Sequence, residues 1–167
     1  MRTLLAVALL GLGCGPKEPP APSEYIQLRY QLTPGGGSEQ DPLLLPIPGG
    51  LLPCGRQARE IRVAARKGLA SVQIVLKDAA TMPSELQAST ATSGKVNMEV
   101  VVPDAAEMGV PTVFSTADPG DLFVCRLRVA GPDPFREFRA TFGCQSKPTA
   151  PRRLTVTDGE ARALLCF

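Results

Sequence analysis

The sequence predicts an all-β fold of two stacked antiparallel sheets, and three observations predict it. Apolar and polar residues alternate with period two in five separate stretches. Clusters rich in Gly, Pro, Asp and Ser punctuate those stretches, as turns do. No self-similarity recurs at a period of roughly 20–50 residues, which sets solenoids aside.

The first strand follows Glu24. Ile26, Leu28, Tyr30 and Leu32 fall on one face, and Gln27, Arg29 and Gln31 on the other, the pattern of a half-buried strand. The connection from Thr33 to Gly55 comes next. It opens on Pro34-Gly-Gly-Gly-Ser38 and carries Leu43-Leu-Leu-Pro-Ile-Pro48 and Leu51-Leu-Pro53. Its prolines oppose ladder pairing, while its apolar side chains favour burial. The segment Gln57 to Lys67 is made mostly of helix formers and stops at Gly68, a residue suited to a helix C-cap. As a helix it aligns Arg59, Arg62 and Arg66 on one side. As a strand it turns Ile61, Val63 and Ala65 inward and forms a hairpin through Lys67-Gly68 with residues 70–77; the regular strand spacing favours the hairpin.

Val72, Ile74 and Leu76 continue the alternation against Ser71, Gln73 and Lys77, and Val96, Met98, Val100 and Val102 against Lys95, Asn97 and Glu99. Phe123, Cys125, Leu127 and Val129 then oppose Arg126 and Arg128, and Phe138, Ala140, Phe142 and Cys144 oppose Glu137, Arg139 and Thr141. The turn-rich Gly131-Pro-Asp-Pro134 between them predicts a hairpin. Leu154 and Val156 lead into Asp158-Gly159, a tight-turn dipeptide, after which Ala163 to Phe167 returns as a last strand. The expectation is one domain over 24–167, about seven to eight strands in an immunoglobulin-like or transthyretin-like sandwich.

Composition narrows the chemistry. The 167-residue chain has no histidine, which removes Ser-His triads and His-ligated zinc. A net charge of +2 does not supply the concentrated basic surface that nucleic acid needs. With no Trp and two tyrosines, little flat surface exists for stacking on sugars or bases. There is no phosphate-binding Gly-rich loop, nucleophile elbow or C-x-x-C pair. Asp118-Pro-Gly-Asp121 offers carboxylates to Ca²⁺, but its spacing is that of a turn. These features lead to the expectation of a non-enzyme without cofactor, metal or nucleic-acid partner.

The first residues carry an address. Met1-Arg-Thr precedes an apolar run from Leu4 to Leu12, broken by Gly11, which is shorter than the roughly 20 residues a bilayer span needs and reads as an export signal over 1–13. Gly11-Leu12-Gly13-Cys14 resembles the lipobox of bacterial lipoproteins. The resemblance covers the signal alone and implies that Cys14 is lipidated on its thiol and becomes the new N-terminus. The same small residues also suit an ordinary secretory peptidase. Residues 14–23, Pro-rich and polar, then form an extended tether. Gly15, rather than Asp, after the cysteine implies outer-membrane sorting by the same resemblance. In layout the chain is similar to the small sandwich lipoproteins of envelope secretion machines, such as that of type VI systems, without matching motifs in the body.

With Cys14 consumed by lipid, four of the five cysteines remain: Cys54, Cys125, Cys144 and Cys166, which can pair completely in an oxidising compartment. A hairpin centred near Pro132 sets Cys125 opposite about residue 139, leaving Cys144 roughly 17 Å further along. A disulfide needs Cα atoms within about 7 Å. The expected bridges are therefore Cys54–Cys125 and Cys144–Cys166.

Two surface features are candidates for binding. Leu43, Leu44, Leu45, Ile47, Leu51 and Leu52 form an apolar segment that docks a partner, lines an end-of-sandwich pocket or covers a sheet edge. Arg59, Arg62 and Arg66 form a cationic stripe that either holds an anionic partner or is solvated. The functional expectation is a cell-envelope lipoprotein that docks an envelope protein as a binding or assembly module. The alternative is a periplasmic carrier of a small apolar or anionic ligand.

Overall fold

The computed structural model describes residues 24–34, 41–47, 60–79, 82–104, 110–120, 122–130 and 137–164. The expected export signal, Cys14 and the tether lie outside them. Ten strands occur among the described residues: β1 (Tyr25–Thr33), β2 (Leu43–Pro46), β3 (Glu60–Lys67), β4 (Ala70–Lys77), β5 (Glu85–Ala88), β6 (Val96–Pro103), β7 (Pro111–Ser115), β8 (Phe123–Ala130), β9 (Glu137–Ser146) and β10 (Arg153–Leu164). They form a six-stranded sheet ordered β2-β1-β10-β9-β8-β5 and a four-stranded sheet ordered β3-β4-β6-β7. Every strand pair is antiparallel, and the two sheets make the expected sandwich.

The alternation read from the sequence is the burial pattern of the molecule. Ile26, Leu28 and Leu32 from β1 meet Val63, Val72, Ile74, Leu76, Met98 and Val100 from the opposite sheet in one core, where Phe123 and Phe138 are the largest wholly buried side chains. Each such side chain contributes about 1.5–3 kcal/mol on leaving water. Segment 57–67 is a strand from Glu60 onward, with Ile61, Val63 and Ala65 buried. The helix alternative is overturned because the β-hairpin with β4 buries those three side chains while leaving Arg62 and Arg66 in water. Its turn lies at Gly68-Leu69, one residue later than expected, and Gly68 supplies the positive φ of 60° that the turn requires.

Asp158-Gly159 is not a turn. β10 runs unbroken through it as a twelve-residue strand, Arg153–Leu164, hydrogen-bonded to β9 on one side and β1 on the other. The dipeptide forms a β-bulge: Val156 pairs with Cys144 and Gly159 with Phe142, so two residues, Thr157 and Asp158, face the single Gly143. Asp158 takes φ 50°, and the extra residue switches the inward phase from Leu154 and Val156 to Gly159, Ala161 and Ala163. A separate return strand over 163–167 is therefore absent in its described part: Ala163 belongs to the same β10, and residues 165–167 lie outside the described ones.

The β8–β9 register also differs from expectation. Phe123 pairs with Ser146 and Ala130 with Arg139, so the hairpin is centred between residues 134 and 135, not near Pro132. That shift sets Cys125 directly opposite Cys144, and the two form a disulfide with Cα atoms 4.0 Å apart. The expected bridges Cys54–Cys125 and Cys144–Cys166 are overturned, since each would reuse a sulfur already bonded. Cys54 and Cys166 lie outside the described residues.

Buried polar groups are tied where the layers meet. Asp104, wholly buried after β6, pairs with Arg152 just before β10, so the ion pair links the two sheets. The Thr112 hydroxyl adds a hydrogen bond to Asp104 Oδ2 at 3.3 Å. Buried Thr116 accepts the Met98 N–H at 2.9 Å and donates to Asn97 Oδ1 at 2.8 Å, and buried Ser146 Oγ accepts the Leu154 N–H at 3.0 Å. A desolvated polar atom costs most when unpaired, so these contacts keep the core intact.

Candidate functional site

The apolar segment is partly absorbed by the fold. Leu43–Pro46 is β2, an edge strand paired with β1, with Leu45 opposite Ile26. Leu45 and Ile47 are buried and Leu43 packs against the core, while Leu44 is half-buried on the outer face. The Ile47 N–H donates to the Glu24 carbonyl at 3.3 Å, extending the edge by one residue. Of the three roles read from the sequence, these residues take the third, covering the edge of the six-stranded sheet. Leu51 and Leu52 lie outside the described residues.

The arginine stripe is likewise resolved into local pairs. Arg62 donates through Nε and Nη2 to Glu60 Oε1 at 3.2 and 2.9 Å, and Arg66 Nε donates to the Gly68 carbonyl at 3.2 Å. Both are exposed, where such contacts contribute little. Arg59 lies outside the described residues. Asp118 Oδ1 accepts the Gly120 N–H at 2.7 Å, so the Asp118-Pro-Gly segment is a turn stabilised by its own side chain; Asp121 is outside the described residues. Among the described residues no three Cys, Asp or Glu side chains gather into a metal cage.

The structure instead brings together a polar face that the sequence did not single out. On the outer side of the six-stranded sheet, β5, β8, β9 and β10 enclose an open depression of ≈ 880 Å³. Its floor is low because Gly143 has no side chain where Arg126 pairs with it from β8. Arg126 and Arg128 stand on one wall. Asp158, raised by the bulge, and Glu160 stand on the other. Arg128 is fixed by Glu85, which accepts from its Nε at 3.1 Å and its Nη2 at 2.5 Å. Among the described residues Arg126 and Asp158 make no side-chain hydrogen bond or ion pair, so both remain available to solvent or to a partner. Glu160 accepts the Tyr25 hydroxyl at 3.0 Å. Partial burial first, then that bond to a carboxylate, raises the Tyr25 pKa above 10.0. A face with separated cationic and anionic walls suits a polar partner of complementary charge.

A second charged cluster lies lower on the same face. Glu137 Oε1 accepts from Arg139 Nε at 2.8 Å and from Arg162 Nε at 3.2 Å. The Arg139 hydrogen bond, with further help from both guanidinium charges, holds the Glu137 pKa below 4.5. The sequence carries one signal for the depression, a glycine inside a strongly alternating strand. The opposed walls depend on cross-strand register and on the bulge.

No family model matches the chain, and no curated protein or solved structure is significantly similar to it.

Proposed function

We propose that the protein is a lipid-anchored component of a bacterial cell envelope whose non-catalytic β-sandwich docks an envelope partner. The observation that carries this reading is Gly11-Leu12-Gly13-Cys14 after a charged and apolar start, followed by the Pro-rich tether to Glu24. The Cys125–Cys144 bridge supports it, since such bridges persist in oxidising compartments. Because β2 consumes the described leucines, the docking face is better assigned to the open depression with Arg126 on one wall and Asp158 on the other. Its polarity favours a protein surface over an apolar small ligand.

Metabolic labelling with radioactive palmitate, with and without Cys14→Ala, tests the anchor. The parent chain takes up label and the variant does not. Equal labelling of the two, or recovery of the uncut chain from cytosol, overturns the proposal.

A further inference from the structure

The four-stranded sheet ends in β7, and among the described residues no strand lies beyond it. Other strands at the sheet margins are protected. β2 lies against β3 across the sandwich, β5 is four residues long and opens on Glu85, and β3 carries Glu60, Arg62, Arg66 and Lys67. β7, Pro111-Thr-Val-Phe-Ser115, has no charge at all. Charges on an edge are the usual guard against pairing with another chain.

The direction of the free groups follows from two bonds. The Asp104 N–H reaches the Val110 carbonyl at 3.3 Å, and the Thr116 N–H reaches the Met98 carbonyl at 2.9 Å. In an antiparallel ladder bonded positions alternate, so Val110, Thr112, Phe114 and Thr116 bond inward to β6. Val113 therefore turns its N–H and C=O outward, and its side chain is 49 % exposed beside Val101 on the outer face.

We propose that this edge pairs with β7 of a second copy of the chain, antiparallel, about a two-fold axis through Val113. Val113 then exchanges both backbone hydrogen bonds with its own copy. Pro111 falls opposite Ser115 of the other chain. Pro111 has no N–H to give, and the Ser115 carbonyl already accepts the Asp118 N–H at 3.3 Å, so the missing donor meets an acceptor that is served. An axis through Thr112 would instead set Pro111 against the Val113 carbonyl, which has no other donor among the described residues. A two-fold axis also places like against like, and an uncharged strand is the kind that tolerates it. The two four-stranded sheets become one of eight, with Val101 and Val113 of both copies forming a continuous apolar row.

A contact of five residues per chain is small against the about 800 Å² per partner of a standard interface, so the dimer is weak and is sought at high concentration. Sedimentation equilibrium of the full chain near 100 µM detects it. Val113→Pro removes the outward N–H, which the chain's own ladder does not use, and weakens dimerisation at least tenfold while the β-sheet circular dichroism is kept. Val113→Lys, which keeps the N–H but sets two cations across the axis, does the same and covers the event that the proline variant misfolds. Val113→Cys oxidises to a covalent dimer joined at 113–113, because Cα atoms in such a pair lie about 5.5 Å apart. A parent chain that stays monomeric at that concentration overturns the inference, as does a dimer that the folded Val113→Lys chain forms equally well.

Discussion

At the scale of single residues, Gly159 is the position where the fold leaves no room. A Cβ built there would lie 2.5 Å from the Phe142 ring and 2.6 Å from the Phe142 carbonyl oxygen. Phe142 is buried, so the ring cannot swing into solvent without opening the core. Gly159→Ala is expected to cost about 1–3 kcal/mol, read as a lower urea midpoint at unchanged slope; an unchanged midpoint contradicts the packing described. The residues of this bulge also show what sequence pattern alone can and cannot resolve. Asp-Gly serves a hairpin turn and a bulge equally well, because both use a positive φ. The phase of the flanking residues does not separate them, since a two-residue hairpin would also set Val156 opposite Ala161 and Leu154 opposite Ala163 on one face, the inward set seen here. The pairing of β10 with β9 on one side and β1 on the other decides for the bulge, and the local pattern does not carry it.

At the scale of elements, six of the seven long strands were legible, β10 was read as two strands about Asp158-Gly159, and the short ones were not legible. β1, β3, β4, β6, β8 and β9 each span at least eight residues, enough for the period to declare itself. β2, β5 and β7 have four, four and five residues, and prolines in β2 and β7 disguise them further. The charged face depends on how such elements register. Glu137 on β9 meets Arg139 on its own strand and Arg162 from β10. Since its folded pKa is depressed, its contribution is present above the unfolded carboxyl range and is lost as pH falls through the folded pKa. Glu137→Gln is therefore expected to melt a little below the parent at pH 7, modestly because the group is exposed, and to melt with it at about pH 2. A gap of equal size at both values contradicts the assignment.

For the whole molecule, the cysteine count was legible and the connectivity was not. The count does not name a partner, which depended on where the β8–β9 hairpin is centred, and a shift of a few residues in the connection decides that. The resulting bridge closes a separation of 19 residues and contributes about 3 kcal/mol. Peptide mass mapping without reduction is expected to find Cys125 joined to Cys144; alkylation of both as free thiols in the native protein contradicts it.

The order of strands has a consequence for how the chain is made. β1 lies between β2 and β10, so Tyr25 waits for Arg162 before the six-stranded sheet joins up. During synthesis the earliest strand has only the short β2 beside it until residues 153–164 have been made. Closure of that layer therefore waits on β10 for reasons of topology, and until then the first strand lacks its longer partner.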